Sequence, residues 1–362
     1  MSGTKPKVLI TGISGNLGQR LLMQLADFQV IGVDLKPPTG ISPARFVPMD
    51  LGEEASCREL YELIRETSPM ALIHLAFVID PVRTGVLDVD RMWHINVAGT
   101  ARVIEAVTEA NRDGAIVEKF VFPSSVSAYG SDLPGPVTED FPLGAHTLPY
   151  AMHKMECDRV VQQRAPALRG CSAYMLRPHI FAGASLDNYM IGAFRGTPNG
   201  RSKKAEKMRT EGTRLDCMLP YGKKYLEKRF QFVHIDDMAR LFGHLIRKAE
   251  PEAQRLTILN VAGRGEPLTI ARCLEIAHAR LRRVPGKTAM RLVLQYLWKR
   301  GISAIPPEAL PYMTGEYLMN TERLKKFLGP EYERVIRHTI AEAFEDSFAQ
   351  RPDSLAKGSA AD

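Results

Sequence analysis

Thr11-Gly-Ile-Ser-Gly-Asn-Leu-Gly18 is the segment that most restricts what this chain can fold into. It ends a short apolar run, Lys7–Thr11, and opens a stretch, Leu17–Ala26, whose leucines at 17, 21, 22 and 25 share one helical face. Glycines at 12, 15 and 18 let the backbone turn tightly, approach a pyrophosphate and pack a helix closely on a strand. The helix start then offers free N–H groups and the positive end of a dipole. A second apolar run, Phe28–Asp34, ends in an acid 22 residues after Gly12. An acid placed there binds both hydroxyls of an adenine ribose and repels a 2′-phosphate, which predicts NAD rather than NADP.

Further strands are predicted at Ala71–Ala76, Phe120–Pro123, Ser172–Arg177 and Thr257–Val261, with a helix over Val97–Val107. Strands separated by helices imply right-handed βαβ units and a mainly parallel sheet. The expected fold is α/β: a Rossmann-type doubly wound parallel sheet with a smaller C-terminal substrate-binding α/β portion. Its NAD-binding part spans 1–183 and is completed by about 230–262. Residues 184–229 and 263–350 form the substrate-binding portion, and 351–362 a flexible tail. Loop formers dominate 184–229. Asp236–Ala249 and Thr269–Leu281 read as helices, and a last helix is expected near Glu331–Phe348.

Composition narrows the class. The chain has 362 residues, 45% hydrophobic and 25% charged, which is ample for a large core and excludes disorder or a small disulfide scaffold. No apolar run reaches the roughly 18–20 residues of a spanning helix. The first residues lack the long apolar stretch of a secretory signal. Five scattered cysteines without CxxC, and nine histidines without HExxH, point to a reducing, cytoplasmic setting with no structural metal. The net charge of +7 is uneven. Residues 195–214 hold seven basic groups against Glu206 and Glu211, and 280–300 hold seven with no acid. No interleaved aromatics or recognition motif accompanies them, so nucleic acid is not an expected partner. Residues 195–214 read as a solvated, mobile loop at the mouth of a substrate cleft. Residues 289–298, AMRLVLQYLW, have the apolar character to touch a membrane or a lipid-like substrate, with core packing as the favoured fate.

Tyr150-Ala-Met-His-Lys154 sets a phenol and an ammonium four residues apart, on one face of a helix. A lysine so placed favours the phenolate. Ser125 lies 25 residues upstream, just past the Phe120–Pro123 strand. Open parallel sheets meet their ligands at the carboxyl ends of such strands.

In this order the segments resemble the extended short-chain dehydrogenase/reductases, the NAD-dependent epimerase/dehydratase family. The resemblance rests on TGISGNLG at 11–18, Asp34, Asp50-Leu51, HLAF at 74–77 and INVAGT at 95–100. It continues through SSVSAYG at 124–130, YAMHK at 150–154, LRP at 176–178, FVHIDD at 232–237 and NVAG at 260–263. It implies a catalytic set of Ser125, Tyr150, Lys154 and Asn96. Ser125 would hydrogen-bond the reacting oxygen, Tyr150 exchange the proton, and Lys154 tune Tyr150 and hold the nicotinamide ribose. The implied cofactor contacts are Gly12, Ser14, Gly15, Asn16, Leu17, Gly18, Asp34, Asp50, Leu51, Leu75, Ala76, Tyr150, Lys154 and Pro178. Read alone, Asn96 is a helix N-cap, and Leu75 and Ala76 are core residues. A homodimer through helices 96–110 and 150–164 is also implied.

Members that act on nucleotide sugars usually carry an asparagine where this chain has Ile180 and an arginine where it has Phe230. The 4,6-dehydratases place Asp-Glu where Val126 and Ser127 stand. The chain looks most like the bacterial sugar-epimerase subgroup. The expected activity is hydride transfer at a secondary alcohol or carbonyl of a small molecule. Two substrates fit: a nucleotide sugar under epimerase chemistry, or a hydroxysteroid-, aldehyde- or ketone-type compound under net dehydrogenation or reduction.

Overall fold

The structure, a computed structural model, describes residues 5–79, 88–115, 117–184, 186, 188–249 and 256–349. The segment 351–362, expected as a flexible tail, lies outside them. In chain order the strands are β1 (Lys7–Thr11), β2 (Gln29–Asp34), β3 (Arg45–Pro48), β4 (Ala71–His74), β5 (Lys119–Pro123) and β6 (Ser172–Pro178). Then come β7 (Ile180–Ala182), β8 (Cys217–Pro220), β9 (Arg229–Phe230), β10 (Phe232–His234), β11 (Thr257–Val261), β12 (Leu268–Thr269) and β13 (Leu281–Val284).

Seven of them form one parallel sheet in the order β3-β2-β1-β4-β5-β6-β11. The order reverses between β1 and β4, the switch point where such sheets open a ligand crevice beyond their carboxyl ends. Its inner strands are near-continuous apolar runs because both faces are covered. Leucines and valines of helices Ser56–Thr67 and Gly99–Arg112, with Cys157 and Val161 of helix Pro149–Arg164, pack one face. Helices Asn16–Gln24 and Ile235–Arg247 pack the other. Lys119 of β5 is buried, and its ammonium donates to Leu245 O at 2.8 Å, Ile246 O at 2.9 Å and Lys248 O. A cation thus satisfies carbonyls that the end of helix Ile235–Arg247 leaves without intrahelical donors.

A buried ion pair ties the sheet to helix Pro149–Arg164. Arg177 of β6 is fully buried and grips Asp158 through two 2.8 Å bonds. It also donates to Tyr129 Oη and Glu139 O, each at 2.7 Å, and Ser124 Oγ donates to Asp158 at 2.7 Å.

A third apolar cluster joins Met190, Ile191, Phe194, Phe230, Phe232, Met290, Leu294, Tyr317 and Phe344, and Tyr150 packs against it. Around it β10 pairs with β7, β12 with β9, and β13 with β8. Several predicted elements change here. Thr269–Leu281 is a helix only over Ile270–Ile276, because His278 takes a left-handed backbone (φ +47°) and the chain then becomes β13. Within the expected loop 195–214, Lys203–Thr210 is a helix capped by Ser202, whose Oγ accepts from Ala205 N at 3.2 Å. The expected last helix breaks into Tyr332–Val335 and Ile340–Asp346, the second restarted by a capping box between Thr339 and Glu342. Residues 289–298 belong to the helix Gly286–Lys299. Core packing holds for Met290 and Leu294 but not for Leu292 and Tyr296, which are 62% and 51% exposed. β3 escaped prediction because its four residues form a half-exposed edge.

Candidate active site

The glycine loop is built as its composition requires. Gly12 has a left-handed backbone (φ +72°), and a Cβ there would lie 2.4 Å from Ala76 N. A Cβ on Gly18 would lie 2.4 Å from Ile13 O. Neither place admits a side chain. Helix Asn16–Gln24 starts at Gly15 with no side-chain cap, leaving its first turn open to an anion. Asp34 closes the loop from the end of β2: Ser14 N donates to it at 3.0 Å and Leu35 N at 2.8 Å. Asp50 accepts from Gly52 N at 2.8 Å and pairs with Arg91, which also holds Glu53 at 2.9 Å. Asp50 therefore shapes the turn that carries Leu51. Leu75 and Ala76, half-buried just past β4, and buried Pro178, closing β6, complete the rim at the carboxyl ends.

Asn96 is not a helix N-cap. It sits inside a π-helical turn, His94–Ala98, between the helices Val89–Trp93 and Gly99–Arg112. Such turns recur at functional sites. Fully buried, it accepts from Val78 N at 2.7 Å and donates to Val78 O at 3.1 Å. Its amide nitrogen lies 3.3 Å from His153 Nδ1.

Ser125, Tyr150 and Lys154 converge beyond β5. Ser127 donates twice to Ser125 Oγ, through N–H at 3.1 Å and O–H at 2.9 Å. A hydroxyl has two lone pairs and one proton. With both lone pairs taken, the Ser125 proton is the group left to give, and Tyr150 is its hydrogen-bond partner. The Tyr150 ring meets Phe77 edge-on at 5.8 Å. Lys154 Nζ donates to Pro123 O at 2.7 Å and lies 3.6 Å from the Phe77 ring centroid. Burial pulls the ammonium down to about 8 and pushes the Tyr150 phenol up, while the Ser125 bond acts to lower the phenol. The Pro123 carbonyl and the Phe77 face hold that ammonium one turn along the same helix from Tyr150.

Three groups near these residues had no chemical signal in the sequence. Ser127 counted only as a departure from the dehydratase pattern. His153 is buried beside Lys154, with its pKa lowered by desolvation. His74 bridges the glycine loop to the Asn96 turn. Its Nδ1 lies 2.7 Å from Thr11 Oγ1 and its Nε2 3.0 Å from Thr100 Oγ1, which donates to Asn96 O at 2.6 Å. Since Thr100 gives its proton to Asn96, His74 donates from Nε2 and accepts at Nδ1. Elsewhere, His234, Asp237 and His338 come together with the imidazoles stacked at 3.9 Å. Their polar atoms serve internal bonds, to Asp236 N, Asp346, Arg240 and one another.

Burial lowers His74 and His179 to about 3. The unfolded chain takes protons on both below pH ~6.5, whereas the folded chain refuses them until pH nears 3. Their contribution is constant above pH 6.5 and is lost as pH falls through that window, by about 1.4 kcal/mol per unit for each histidine. Urea unfolding at stepped pH should show this slope, and His74→Gln should flatten its share; a stability unchanged from pH 6.5 to 4 would contradict it.

Comparison with known proteins matches this architecture. The profile described as the NAD dependent epimerase/dehydratase family matches residues 8–262, more than half of the chain. The chain belongs to that family. As the family description states, its cofactor is NAD. UDP-glucose 4-epimerase 4 of rice (Oryza sativa subsp. japonica) is 27% identical over 264 residues, 67% of this chain and 68% of the relative. A Staphylococcus aureus epimerase/dehydratase is 24% identical over 160 residues, 43% of this chain and 47% of its own length. The UDP-glucose 4-epimerase of Thermus thermophilus in complex with NAD has the same fold: TM-score 0.62 at 19% identity, over 94% of this chain and 98% of that one. Among the described residues of this epimerase/dehydratase family member, no helix is long and apolar enough to cross a membrane.

Proposed function

We propose that this protein moves hydride at a secondary alcohol or carbonyl carbon, with Ser125, Tyr150 and Lys154 handling the proton. One observation carries the reading: Ser125, its lone pairs filled by Ser127, is bonded to Tyr150 beside Lys154, past the carboxyl end of β5. NAD, when bound, supplies the hydride acceptor and donor. Gly12, Gly15 and Gly18 would leave room for its diphosphate, with Ser14, Asn16 and Leu17 at the helix start. Asp34 would hold the adenine ribose, Asp50 and Leu51 the adenine side, and Leu75, Ala76 and Pro178 the remaining wall.

In the oxidative direction the Tyr150 phenolate accepts the substrate hydroxyl proton as the carbon loses its hydride, and a C=O replaces the C–O–H. Before substrate arrives, the Ser125–Tyr150 bond favours the phenolate against the burial that disfavours it. With substrate bound, the Ser125 proton turns to the substrate oxygen, where charge develops. Lys154 keeps positive charge at the site, and Asn96 holds the turn that faces it. In the reverse direction Tyr150 returns its proton to the oxygen.

Return of hydride to the opposite face gives an epimerase, and the rice relative's name supports a nucleotide sugar as its substrate. A second reading, a dehydrogenase or reductase of a less polar substrate, is favoured by two side chains. Ile180 is half-buried against the third apolar cluster and Phe230 is fully buried within it, where the sugar-nucleotide pattern has a phosphate-binding asparagine and arginine. Denaturing the purified protein and identifying what it releases separates the two. Stoichiometric NAD, with interconversion of UDP-glucose and its epimer, is the expected result. An empty protein that accumulates NADH with steroidal or aliphatic secondary alcohols supports the second reading. No turnover of either substrate class by NAD-loaded protein overturns both.

A further inference from the structure

We propose that the outward face of the helix Gly286–Lys299 is a docking surface for an anionic lipid bilayer. The helix buries Met290 and Leu294 and turns its other side to solvent. Residues four apart line up there in two neighbouring rows. One row is Lys287, Arg291, Gln295 and Lys299; the other is Thr288, Leu292 and Tyr296, followed by Arg300 at the helix end. All of them are exposed. Arg300 lies 5.5 Å from the Tyr296 ring centroid. The helix contains no acid, and Lys287, Arg291 and Lys299 make no ion pair among the described residues. The face is thus an apolar row edged by cations that no ion pair holds.

The fold brings further basic residues to both ends of this helix. Ile302 O accepts from Gly200 N, and Gly301 O from Ser202 N, each at 3.0 Å. Arg201, Lys203 and Lys204 therefore lie beside the helix C-terminus. At the other end Tyr221 N donates to Val284 O at 3.0 Å and Arg283 to Gly222 O at 2.8 Å. This sets exposed Tyr221, Lys223 and Lys224 next to the helix start. The stretches 195–214 and 280–300, with Lys223 and Lys224, thus form one region of the surface.

The mixture selects the partner. Leu292 and Tyr296 gain by leaving water for the headgroup boundary, while the long cationic side chains reach the lipid phosphates. A nucleic acid would neutralise the cations but leave Leu292 in water. A second copy docked about a two-fold axis would set the same cations against one another. An anionic bilayer satisfies both rows, with each basic residue near it strengthening binding roughly fivefold.

The test is cosedimentation of the full chain with vesicles of phosphatidylcholine alone or of equal parts phosphatidylcholine and phosphatidylglycerol. Expected are binding to the anionic vesicles only and release by high salt. R291E/K299E should weaken binding at least ~25-fold, from two such cations. Leu292→Gln should weaken it several-fold at unchanged charge. Unchanged NAD binding in the variants shows that the fold is intact. Absent binding, equal binding to both vesicles or native binding by R291E/K299E overturns the proposal. So does duplex DNA that displaces the vesicles while Leu292→Gln has no effect.

Discussion

Tyr150→Phe should lower turnover by ~10²–10⁴-fold, the usual worth of a positioned general acid–base. The ring and its edge contact with Phe77 at 5.8 Å survive the change; the hydroxyl and its bond to Ser125 do not. Because the phenol sits where burial disfavours its charged form, losing the hydroxyl should cost the fold no more than ~1 kcal/mol. NAD affinity should stay near native. The combination matters: a variant that binds cofactor, unfolds normally and scarcely turns over has lost a proton carrier. Native turnover in Tyr150→Phe would place the proton transfer on another group and sink the mechanism, while leaving the family assignment untouched.

Arg177→Met should have the largest effect on stability, about 3–5 kcal/mol by denaturant unfolding. Arg177 and Asp158 are 2% and 0% exposed, and the guanidinium makes two bonds to Asp158 plus one each to Tyr129 Oη and Glu139 O. Methionine fills similar space but strands a buried carboxylate. Asp158 keeps only Ser124 Oγ and Gln162 Nε2, each donating at 2.7 Å, and neither carries charge. The double variant R177M/D158N should recover part of the loss, since the cost lies mostly in the unpaired charge. The pair also pins the helix that carries Tyr150 and Lys154 to β6, so turnover should fall with stability. A single variant within 1 kcal/mol of native would mean that water or another cation reaches Asp158.

Legibility from sequence followed how local each feature is. The glycine loop, Asp34, Ser125 and the Tyr150–Lys154 spacing lie within single strand–turn–helix units, where periodicity and turn chemistry act over a few residues. The structure puts the glycine loop after β1, Asp34 at the end of β2, Ser125 just past β5, and Tyr150 and Lys154 on one helix, as the sequence predicts. Short elements were lost where tertiary contacts override the pattern. β13 exists because β8 offers it a partner, and Leu281-Arg-Arg-Val284 alone reads as the end of a helix. Lys154 shares a helix face with Tyr150, which its spacing gives, but the carbonyl of Pro123 and the ring of Phe77 that hold its ammonium come from other segments and had no signal.

The sequence by itself determined the parallel α/β sheet and the tight glycine loop after its first strand. Apolar strands of this length must be covered on both faces, and the turns at Gly12 and Gly18 leave no room for a Cβ. Tertiary structure alone decided three other things: where the Ser125 proton points, that Arg177 is a buried tie, and that the basic stretches meet around one exposed helix. Ser125 depends on a lone-pair count that Ser127 completes. The other two join groups 19 to more than 60 residues apart, whose meeting is set by strand order and chain reversal. Hydrogen bonds and ion pairs act over a few ångströms of space, whatever their separation along the chain.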